Sequence, residues 1–314
     1  MTTLVTGATG FLGRAVVRLL RERGEDVAAL VREGSDARAL EDFGATVVRG
    51  DVRVPEDVAR AAAGAGRIVH LAGLVAYERR DIPRLRALNV DSVANVVAAL
   101  PEGARLVHVS SVAAIGPAPA RDRPATEEQP WPERANAYPY PASKRAGEQV
   151  ALAAAREGKD VVVASPAFVL GAGDLNKSST FAVWRYLQGT LRIHTPGGLS
   201  YVHVDDVAAG ILAVADRGRA GERYALANRD GNLSHEEFFR RIGEVTGIRR
   251  RMIGLPHGLA IAGAQVLRWP IKPGEVRSAT NWWFYDQAKA EQELGYTNRP
   301  LDETIAETVA QYRS

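Results

Sequence analysis

A tyrosine and a lysine with three residues between them are the pair in this sequence best suited to acid–base chemistry. Within the stretch AYPYPASKRAG, both Tyr138 and Tyr140 precede Lys144. Pro141 favours the first turn of a helix, because its fixed φ suits that position and its missing N–H would be unpaired there. A helix that begins near Tyr140 and ends at Gly158 puts Tyr140 and Lys144 on one face, whereas Tyr138 lies about 240° around the axis.

The chemistry open to this pair is proton transfer. A phenol has a pKa of about 10, and a neighbouring ammonium lowers that pKa by favouring phenolate. The resulting group can serve as a general acid or base. The alternative is a solvent-exposed contact between side chains four residues apart, which stabilises a helix by only roughly 0.2–0.5 kcal/mol. The rest of the chain decides between these interpretations.

A second pattern, LVTGATGFLG, suits the binding of phosphate groups. Its glycines, Gly7, Gly10 and Gly13, follow the first candidate strand and open the first candidate helix. Glycine permits a tight turn, lets backbone N–H groups approach a pyrophosphate, and lets the helix pack closely on the strand. The N-terminus of the helix then favours negative charge. Placed between a strand and a helix, the motif predicts dinucleotide binding rather than ordinary turn chemistry.

The end of the second candidate strand bears on which dinucleotide binds. A site for NAD places Asp or Glu there to bind the ribose 2′-OH, whereas an arginine accommodates a 2′-phosphate. Arg32 occupies this position, and Ser35 adds a hydroxyl group. The alternative is that Glu33 binds the ribose and Arg32 is a solvated side chain. The planar guanidinium favours NADP(H), with NAD(H) as the alternative cofactor.

The elements that would position these residues alternate along the first half of the chain. Helical patterns such as FLGRAVVRLLRERG and RALNVDSVANVVAAL separate short runs rich in β-branched residues. Those runs predict strands at Thr3–Thr6, Val27–Val31, Thr46–Val48, Arg67–Leu71, Leu106–Ser110 and Val161–Ala164. Strands separated by helices indicate βαβ crossovers. The predicted fold is α/β, a doubly wound parallel sheet of the Rossmann type.

After Pro166 the alternation ends, which predicts a smaller C-terminal substrate-binding domain. We assign 1–166 to the dinucleotide-binding domain, and 167–200 with 228–314 to the smaller domain. Between them, 201–227 is expected to return to the main sheet. It carries strand patterns at Tyr201–Val204 and Glu222–Leu226 on either side of the helical DDVAAGILAVAD.

Two local signals complete the assignment of elements. Ser234 is a candidate helix cap followed by acidic residues in the first turn. The proline-rich GPAPARDRPATEEQPWPERANAYPYP is predicted to form a long loop just before the Tyr/Lys helix. A loop in that place could cover a substrate.

Composition excludes several classes of protein. With 314 residues, 46% of them hydrophobic, and a net charge of +3, the chain is that of an ordinary globular protein without a basic stripe for nucleic acid. The absence of cysteine rules out disulfides and thiolate chemistry. No apolar run is long enough to span a membrane, and MTTLVTGATG contains no signal-peptide pattern. We expect a cytoplasmic protein that acts on a small molecule, without a nucleic-acid or membrane partner.

Together these motifs resemble the extended short-chain dehydrogenases/reductases, the NAD-dependent epimerase/dehydratase-like superfamily. TGATGFLG is similar to the family's TGxxGxxG, and YPASK to its YxxxK. Further matches are GDV at 50–52, HLAG at 70–73, SSVAAIG at 110–116, YVHVDDVAAGI and KAEQELGY. The resemblance therefore spans nearly the whole chain, and it implies a homodimer as a common arrangement in the family.

The resemblance implies roles for individual residues. Tyr140 would be the general acid/base, and Lys144 its pKa-lowering partner and nicotinamide-ribose ligand. The family's active-site serine lies five residues before the glycine at Gly116, which selects Ser111 as the ligand of the substrate oxygen; Ser110 could instead point into the sheet. Cofactor-binding positions are Gly7, Thr9, Gly10, Phe11, Leu12, Gly13, Arg32, Ser35, Asp51, Val52, Leu71, Ala72, Gly73, Tyr140, Lys144, Pro166, Phe168 and Val169.

Other polar residues carry weaker expectations. Asn89 matches an asparagine that supports either a proton path or a helix irregularity. Asp205 and Asp206 look like paired carboxylates, but in the family this motif caps a helix and holds the domains together. The histidines form no metal-ligand spacing, so no metal is predicted, and His70, His108 and His203 are expected to pack or hydrogen-bond within strands. Four aromatic residues could line an apolar substrate pocket or fill a second core: Phe168, Trp184, Trp282 and Trp283.

Two departures from the family bear on the substrate. Relatives that act on nucleotide sugars commonly carry arginine where this chain has Leu199 and Ser165, which weakens the sugar-nucleotide interpretation. The remaining features look closer to the dihydroflavonol-reductase and 3β-hydroxysteroid-dehydrogenase-like branch. The predicted function is NADP(H)-dependent hydride transfer to or from a ketone or secondary alcohol on a small, largely apolar substrate. The alternatives are a sugar-nucleotide epimerase/dehydratase with tightly bound NAD, and a non-catalytic dinucleotide sensor.

Overall fold

The structure is a computed structural model that describes residues 1–175, 177, 179–266 and 273–313. Its strands, in chain order, are β1 Thr2–Thr6, β2 Asp26–Val31, β3 Thr46–Arg49, β4 Arg67–His70, β5 Arg105–Val109, β6 Val161–Pro166, β7 Phe168–Leu170, β8 Ile193–His194, β9 Gly198–His203, β10 Arg223–Leu226, β11 Asn232–Ser234, β12 Ile253–Gly254 and β13 Trp282–Trp283.

The α-helices are α1 Phe11–Glu22, α2 Arg38–Asp42, α3 Pro55–Ala62, α4 Ile82–Arg86, α5 Ser92–Ala98, α6 Pro139–Arg156, α7 Phe181–Leu187, α8 Val204–Arg217, α9 His235–Thr246, α10 His257–Val266, α11 Pro273–Ala279, α12 Ala288–Leu294 and α13 Leu301–Ala310. A π-helical turn at Ala87–Asp91 joins α4 to α5.

Within the described residues, seven strands form one parallel sheet in the order β10-β6-β5-β4-β1-β2-β3. The order reverses between β1 and β4, so the chain winds in opposite directions from the centre of the sheet. Ligands of such sheets bind outside the carboxyl ends of the strands at this reversal. The predicted doubly wound α/β fold is confirmed.

Alternate residues of the central strands face opposite helical layers. Leu4 and Leu106 belong to a core with α3, α5 and α6, whereas their neighbours Val5 and Val107 belong to a core with α1 and α8. All four side chains are fully buried, and burying an aliphatic side chain stabilises the fold by about 1.5–3 kcal/mol. Burial on both faces explains why these strands read as continuous apolar runs.

A smaller sheet forms beside the carboxyl edge of the main one. Strand β9 pairs with β7, β11 and β13, while β8 and β12 pair separately. The expectation that 201–227 returns to the main sheet is therefore wrong for its first strand, Gly198–His203. Helix α8 packs on α1, and β10 joins the main sheet beside β6. Strand β7, which begins two residues after the end of β6, pairs in parallel with β9, so β9 belongs to the smaller sheet.

The helix that carries Tyr140 starts earlier than predicted. It begins at Pro139, with Tyr138 as the extended N-cap residue, so Tyr140 already lies in the first turn. Both Pro139 and Pro141 fit there, because the first N–H groups of a helix have no partner within it. The helix ends at Arg156, shortly before Gly158 at a φ of 93°.

Two other local predictions concern the Ser234 helix cap and the proline-rich loop. Ser234 caps α9 in a reciprocal capping box with Glu237, as its sequence position predicted. The proline-rich loop lies along the segment that contains β13: the N–H of Ala118 donates to the Trp282 carbonyl at 2.7 Å, and the N–H of Ala125 to that of Phe284 at 2.8 Å. These bonds hold the loop against the smaller sheet. Among the helices that the structure describes, none has the length and apolarity needed to cross a bilayer.

Candidate active site

Three side chains with acid–base potential meet at the carboxyl edge of the main sheet. Ser111 follows β5, and its hydroxyl lies close enough to Tyr140 on α6 to lower the pKa of the phenol. Lys144 lies one turn further along α6 and donates from Nζ to the Val109 carbonyl at 3.1 Å. Ser110 is buried, and its hydroxyl has no hydrogen-bond partner among the described residues. The structure thus brings Ser111, rather than Ser110, to Tyr140.

Burial sets the protonation of this group of residues. It raises the pKa of the Tyr140 phenol, and the hydrogen bond with Ser111 opposes that effect. Burial also lowers the pKa of Lys144 to about 8. The sequence predicted a lowered phenol pKa, and the structure gives the opposite direction. The reason is that desolvation disfavours phenolate.

A buried carboxylate on the next turn of α6 offsets part of the effect of burial on the pKa of Lys144. Glu148 is fully buried, and its charge raises the pKa of Lys144 against the larger lowering by burial. Its Oε1 accepts hydrogen bonds from Arg223 at 2.8 Å and from Arg145 at 3.4 Å. Sequence analysis missed Glu148; its spacing of four residues from Lys144 is the signal that could have identified it.

Asn89 lies in the π-helical turn and is almost fully buried. Its side chain accepts from the N–H of Leu74 at 2.7 Å, donates to the Leu74 carbonyl at 2.9 Å and donates to Ser143 Oγ at 2.9 Å. The residue therefore fixes the loop after β4 to α6. Of the two alternatives from the sequence, the helix irregularity is present at Asn89, and π-helical turns are frequent at functional sites.

The glycine motif forms a cradle in which side chains would not fit. Gly7 has a φ of 70°, and a Cβ there would lie 2.6 Å from the backbone nitrogen of Ala72. A Cβ at Gly13 would lie 2.2 Å from the Gly7 carbonyl oxygen. Gly10 is the extended N-cap of α1, at whose N-terminus the backbone dipoles favour an anion. The cradle fits the pyrophosphate of a dinucleotide, since only glycine allows this approach of strand, turn and helix.

Residues around the cradle have the exposure that a cofactor-binding edge requires. Thr9 is half-buried, and Phe11 and Leu12 begin α1 with their side chains partly packed against the core. Leu71 and Ala72 are half-buried, and Gly73 is exposed. Their loop follows β4 directly and lies against Gly7.

The predicted specificity residue lies in an open cleft of about 540 Å³. Arg32, Ser35 and Asp51 all line the cleft. Arg32 is exposed, whereas Val52 is buried. Arg53 donates to both carboxylate oxygens of Asp51, and this interaction lowers the pKa of Asp51.

A loop residue absent from the sequence prediction packs against Tyr140. The rings of Tyr77 and Tyr140 have centroids 5.8 Å apart and planes tilted by 59°. The adjoining Glu78 accepts from the N–H of Gly274 at the start of α11. The continuation of HLAG into LVAYE was the available signal. By contrast, Tyr138 turns away to accept from Asn281 at 2.9 Å.

An apolar chamber of about 180 Å³ lies within the smaller sheet and its helices. Pro166 ends β6 beside this region, and β7 carries Phe168 and Val169. The chamber is lined by Phe168, Leu170, Ser179, Ala182, Val183, Leu191, Ile193, His194, Thr195, Leu199, Tyr201, His235, Phe238, Phe239, Ala260, Val276 and Ala279. Phe168 thus contributes to this wall, whereas Trp184, Trp282 and Trp283 do not line it.

The paired aspartates join distant segments of the chain, as one part of the expectation had it, but they do not cap the helix. His203, not an aspartate, caps α8 by accepting from the N–H of Asp205 at 3.1 Å. Asp205 binds Arg18 of α1 at 2.7 Å, and Asp206 binds Arg299 at 3.0 Å. Because both carboxylates lie inside the first helical turn, they join segments of the chain rather than cap the helix.

The strand histidines belong to the interior. His70 and His108 are buried with ring centroids 5.7 Å apart, and burial lowers the pKa of both. His70 Nδ1 is 2.7 Å from the Thr6 hydroxyl. His203 Nε2 is 3.0 Å from Glu307. Across the described ranges, no group of three or more His, Asp or Glu side chains could hold a metal ion.

The chain matches a known family over most of its length. Residues 3–227 match the NAD dependent epimerase/dehydratase family. A 4-hydroxy-2-methyl-3-oxo-4-farnesyl-3,4-dihydroquinoline-1-oxide ketoreductase from Stigmatella aurantiaca is 31% identical, over 95% of this chain and 92% of that protein. Human 3 beta-hydroxysteroid dehydrogenase type 7 is 30% identical, over 86% of this chain and 81% of its own length.

A solved structure gives the same result for the fold. The dTDP-glucose 4,6-dehydratase DesIV of Streptomyces venezuelae, crystallised with NAD and TYD, is 25% identical, with a TM-score of 0.81 over 100% of this chain and 97% of that one. The resemblance inferred from the motifs is therefore confirmed, including the similarity to the hydroxysteroid-dehydrogenase branch. The chain belongs to the NAD dependent epimerase/dehydratase family.

Proposed function

We propose that this protein is an NADP(H)-dependent oxidoreductase that interconverts a ketone and a secondary alcohol on a small, largely apolar substrate. The observation that carries the proposal is the meeting of Ser111, Tyr140 and Lys144 beside the glycine cradle. The family and its reductase and dehydrogenase relatives support an oxidoreductase that uses a nicotinamide dinucleotide.

The side chains divide the acid–base work in this proposal. Because burial raises the pKa of Tyr140, the phenol is protonated at neutral pH and can donate its proton to an alkoxide that forms beside it. Ser111, which lies beside Tyr140, donates to the same oxygen and stabilises its developing charge. Lys144, charged below a pKa of about 8, provides the positive charge that favours loss of the phenol proton. Bound NADP(H) supplies or accepts the hydride.

Preference for NADP(H) is supported by the cleft at the end of β2. Arg32 lines this cleft, is exposed and offers a planar fork suited to a phosphate. Arg53 is engaged by Asp51 and Arg49 by the carbonyls of Arg32 and Ser35. Arg32 is therefore the arginine of this cleft that we assign to the 2′-phosphate.

An apolar substrate is supported by Leu199. This residue lines the apolar chamber at the position where sugar-nucleotide relatives commonly carry arginine. None of the described lining residues is Asp, Glu, Lys or Arg. A nucleotide diphosphate would leave its charges unpaired there, which costs several kcal/mol per ion.

The two alternatives make different demands. A sugar-nucleotide epimerase/dehydratase with tightly bound NAD is favoured by the DesIV likeness, but it requires a polar nucleotide site. A non-catalytic dinucleotide sensor has no need for the Ser111, Tyr140 and Lys144 arrangement. Both alternatives predict no net oxidation of NADPH by a ketone.

The test is titration of the purified protein with NADPH, NADH, NADP⁺ and NAD⁺, followed by NADPH oxidation with a panel of hydrophobic ketones. We expect tighter binding of NADPH than of NADH, together with ketone-dependent oxidation. Binding of NAD⁺ alone, without ketone turnover, would favour the epimerase and contradict the assignment of Arg32.

A further inference from the structure

We propose that the apolar chamber binds a hydrocarbon tail of the substrate, so that the natural substrate is a lipid-like ketone or alcohol with an extended uncharged chain. This inference rests on the proposed function for the position of the reacting carbonyl. It goes beyond that function by assigning a second binding site and the chemistry of its ligand.

The size and walls of the chamber suit hydrocarbon. Its volume of about 180 Å³ exceeds the roughly 150 Å³ of an apolar cavity that stays dry and holds benzene. Aromatic rings form a continuous wall: Tyr201 stacks on Phe238 with centroids 3.8 Å apart and meets Phe168 edge to face at 5.6 Å. Binding of a hydrocarbon chain against these walls is favourable because it removes apolar ligand surface from water.

Both histidine rings and one backbone N–H of the lining are already engaged in hydrogen bonds. His235 Nε2 lies 2.9 Å from the Ala279 carbonyl, and burial lowers the pKa of His235, so the ring is neutral. His194 Nδ1 lies 3.3 Å from the Thr195 carbonyl. The backbone N–H of Ser179 donates to Asp174 at 2.8 Å. No side chain in the described lining could therefore pair with a charged headgroup. An uncharged chain fits these walls better.

Two chain segments connect the chamber wall to the elements that carry the candidate active site. Phe168 lies in the chamber wall and follows Pro166, the residue that ends β6 at the carboxyl edge of the main sheet. On the other side, Ala279 lines the chamber, and Asn281 two residues later donates to the hydroxyl of Tyr138. Tyr138 is the N-cap of the helix that carries Tyr140. The proposal therefore places the carbonyl at Tyr140 and the tail in the chamber that these segments border.

The inference is tested by binding of 2-decanol and 2-butanol, measured by calorimetry with the full chain. Ala182→Phe fills the chamber from α7, and Leu199→Arg places a charge in its wall. Ala209→Phe is the matched control, because Ala209 is exposed on α8 and outside the lining. NADPH affinity is measured for every variant to show that it is folded.

We expect the wild type and Ala209→Phe to bind 2-decanol at least about tenfold more tightly than 2-butanol, since each buried methylene adds affinity. Ala182→Phe and Leu199→Arg should lose this preference while they keep NADPH affinity. Equal binding of the two alcohols by the wild type, or an unchanged preference in both chamber variants, would overturn the inference. Because alcohol binding needs no turnover, a chamber-dependent preference supports the inference even if no ketone oxidises NADPH, a result that would count against the proposed function alone.

Discussion

Gly147 on α6 lies directly against the backbone carbonyl of Asn89. A Cβ at Gly147 would be 1.8 Å from the Asn89 oxygen, a distance that no side chain can occupy. The close approach depends on the π-helical turn, which brings Asn89 to the face of α6 that also carries Ser143 and Lys144. Packing at one glycine therefore fixes the helix that positions Tyr140.

The first prediction concerns this contact. Gly147→Ala should destabilise the protein by about 2–3 kcal/mol, because backbone must move to admit the methyl group. In an open helix the same change would stabilise by roughly 0.5–1 kcal/mol, so the expected sign is reversed. Urea unfolding measures the difference, with Gln149→Ala at an exposed site of the same helix as the control. A stabilised Gly147→Ala variant would show that the two helices separate easily.

The second prediction concerns Arg32. Arg32→Ala should weaken NADPH binding by about tenfold or more and leave NADH binding within about twofold, because only NADPH carries the 2′-phosphate. Fluorescence titration with both cofactors measures this. Arg38→Ala removes the same charge from an exposed arginine paired with Asp36 and should change neither affinity. Equal weakening of both cofactors by Arg32→Ala would point to a general contact instead.

The fold was largely predictable from the sequence because its central strands are buried on both faces. Leu4, Val5, Leu106 and Val107 are all apolar for that reason, and the glycine motif marks the first crossover. The membership of β9 in the smaller sheet could not be predicted from the residues of that strand alone. Its alternating pattern suits either sheet, and its partners β11 and β13 come later in the chain.

The candidate site was predictable only where spacing along one element brings residues together. Tyr140 and Lys144 share a helix, so their relation followed from helical geometry. Tyr77 reaches Tyr140 from a loop, and Arg223 on β10 reaches Glu148 on α6. Contacts of this kind depend on the tertiary arrangement. The direction of the phenol pKa was also missed, because desolvation is a property of the folded state.

The third prediction concerns the buried carboxylate. Glu148→Gln should destabilise the protein by about 3–5 kcal/mol, because it removes the charge that compensates Arg223 in the interior. It should also lower the pKa of Lys144 further, since Glu148 raises that pKa. Unfolding experiments and the pH dependence of turnover measure these effects. Glu22→Gln, in an exposed pair with Arg18, should leave both unchanged. A fully stable Glu148→Gln variant would contradict the proposed charge balance.

The fourth prediction follows from the lowered pKa of Lys144, which is about 8 in the fold and 10.5 as the ordinary value. Between these pH values the unfolded chain binds more protons at this residue than the fold does, so its contribution to stability rises with pH. Below pH 8 the Lys144 ammonium is charged in the fold, and its burial then destabilises the protein by the full amount. Relative to Lys144→Met, the wild type should gain stability from pH 8 to pH 10, approaching about 3 kcal/mol at higher pH. Urea unfolding of both proteins across this range measures the difference; a flat difference would contradict the burial effect.

The central claim is that Tyr140 transfers the proton, and its most direct test is NADPH oxidation by 2-decanone in Tyr140→Phe and Tyr138→Phe. We expect Tyr140→Phe to lower kcat by about 10²–10⁴-fold with NADPH affinity unchanged, because the ring remains but the proton donor is lost. Tyr138→Phe should retain most of the activity, since its hydroxyl accepts from Asn281 away from Ser111. Retained turnover in Tyr140→Phe, or loss confined to Tyr138→Phe, would contradict the account.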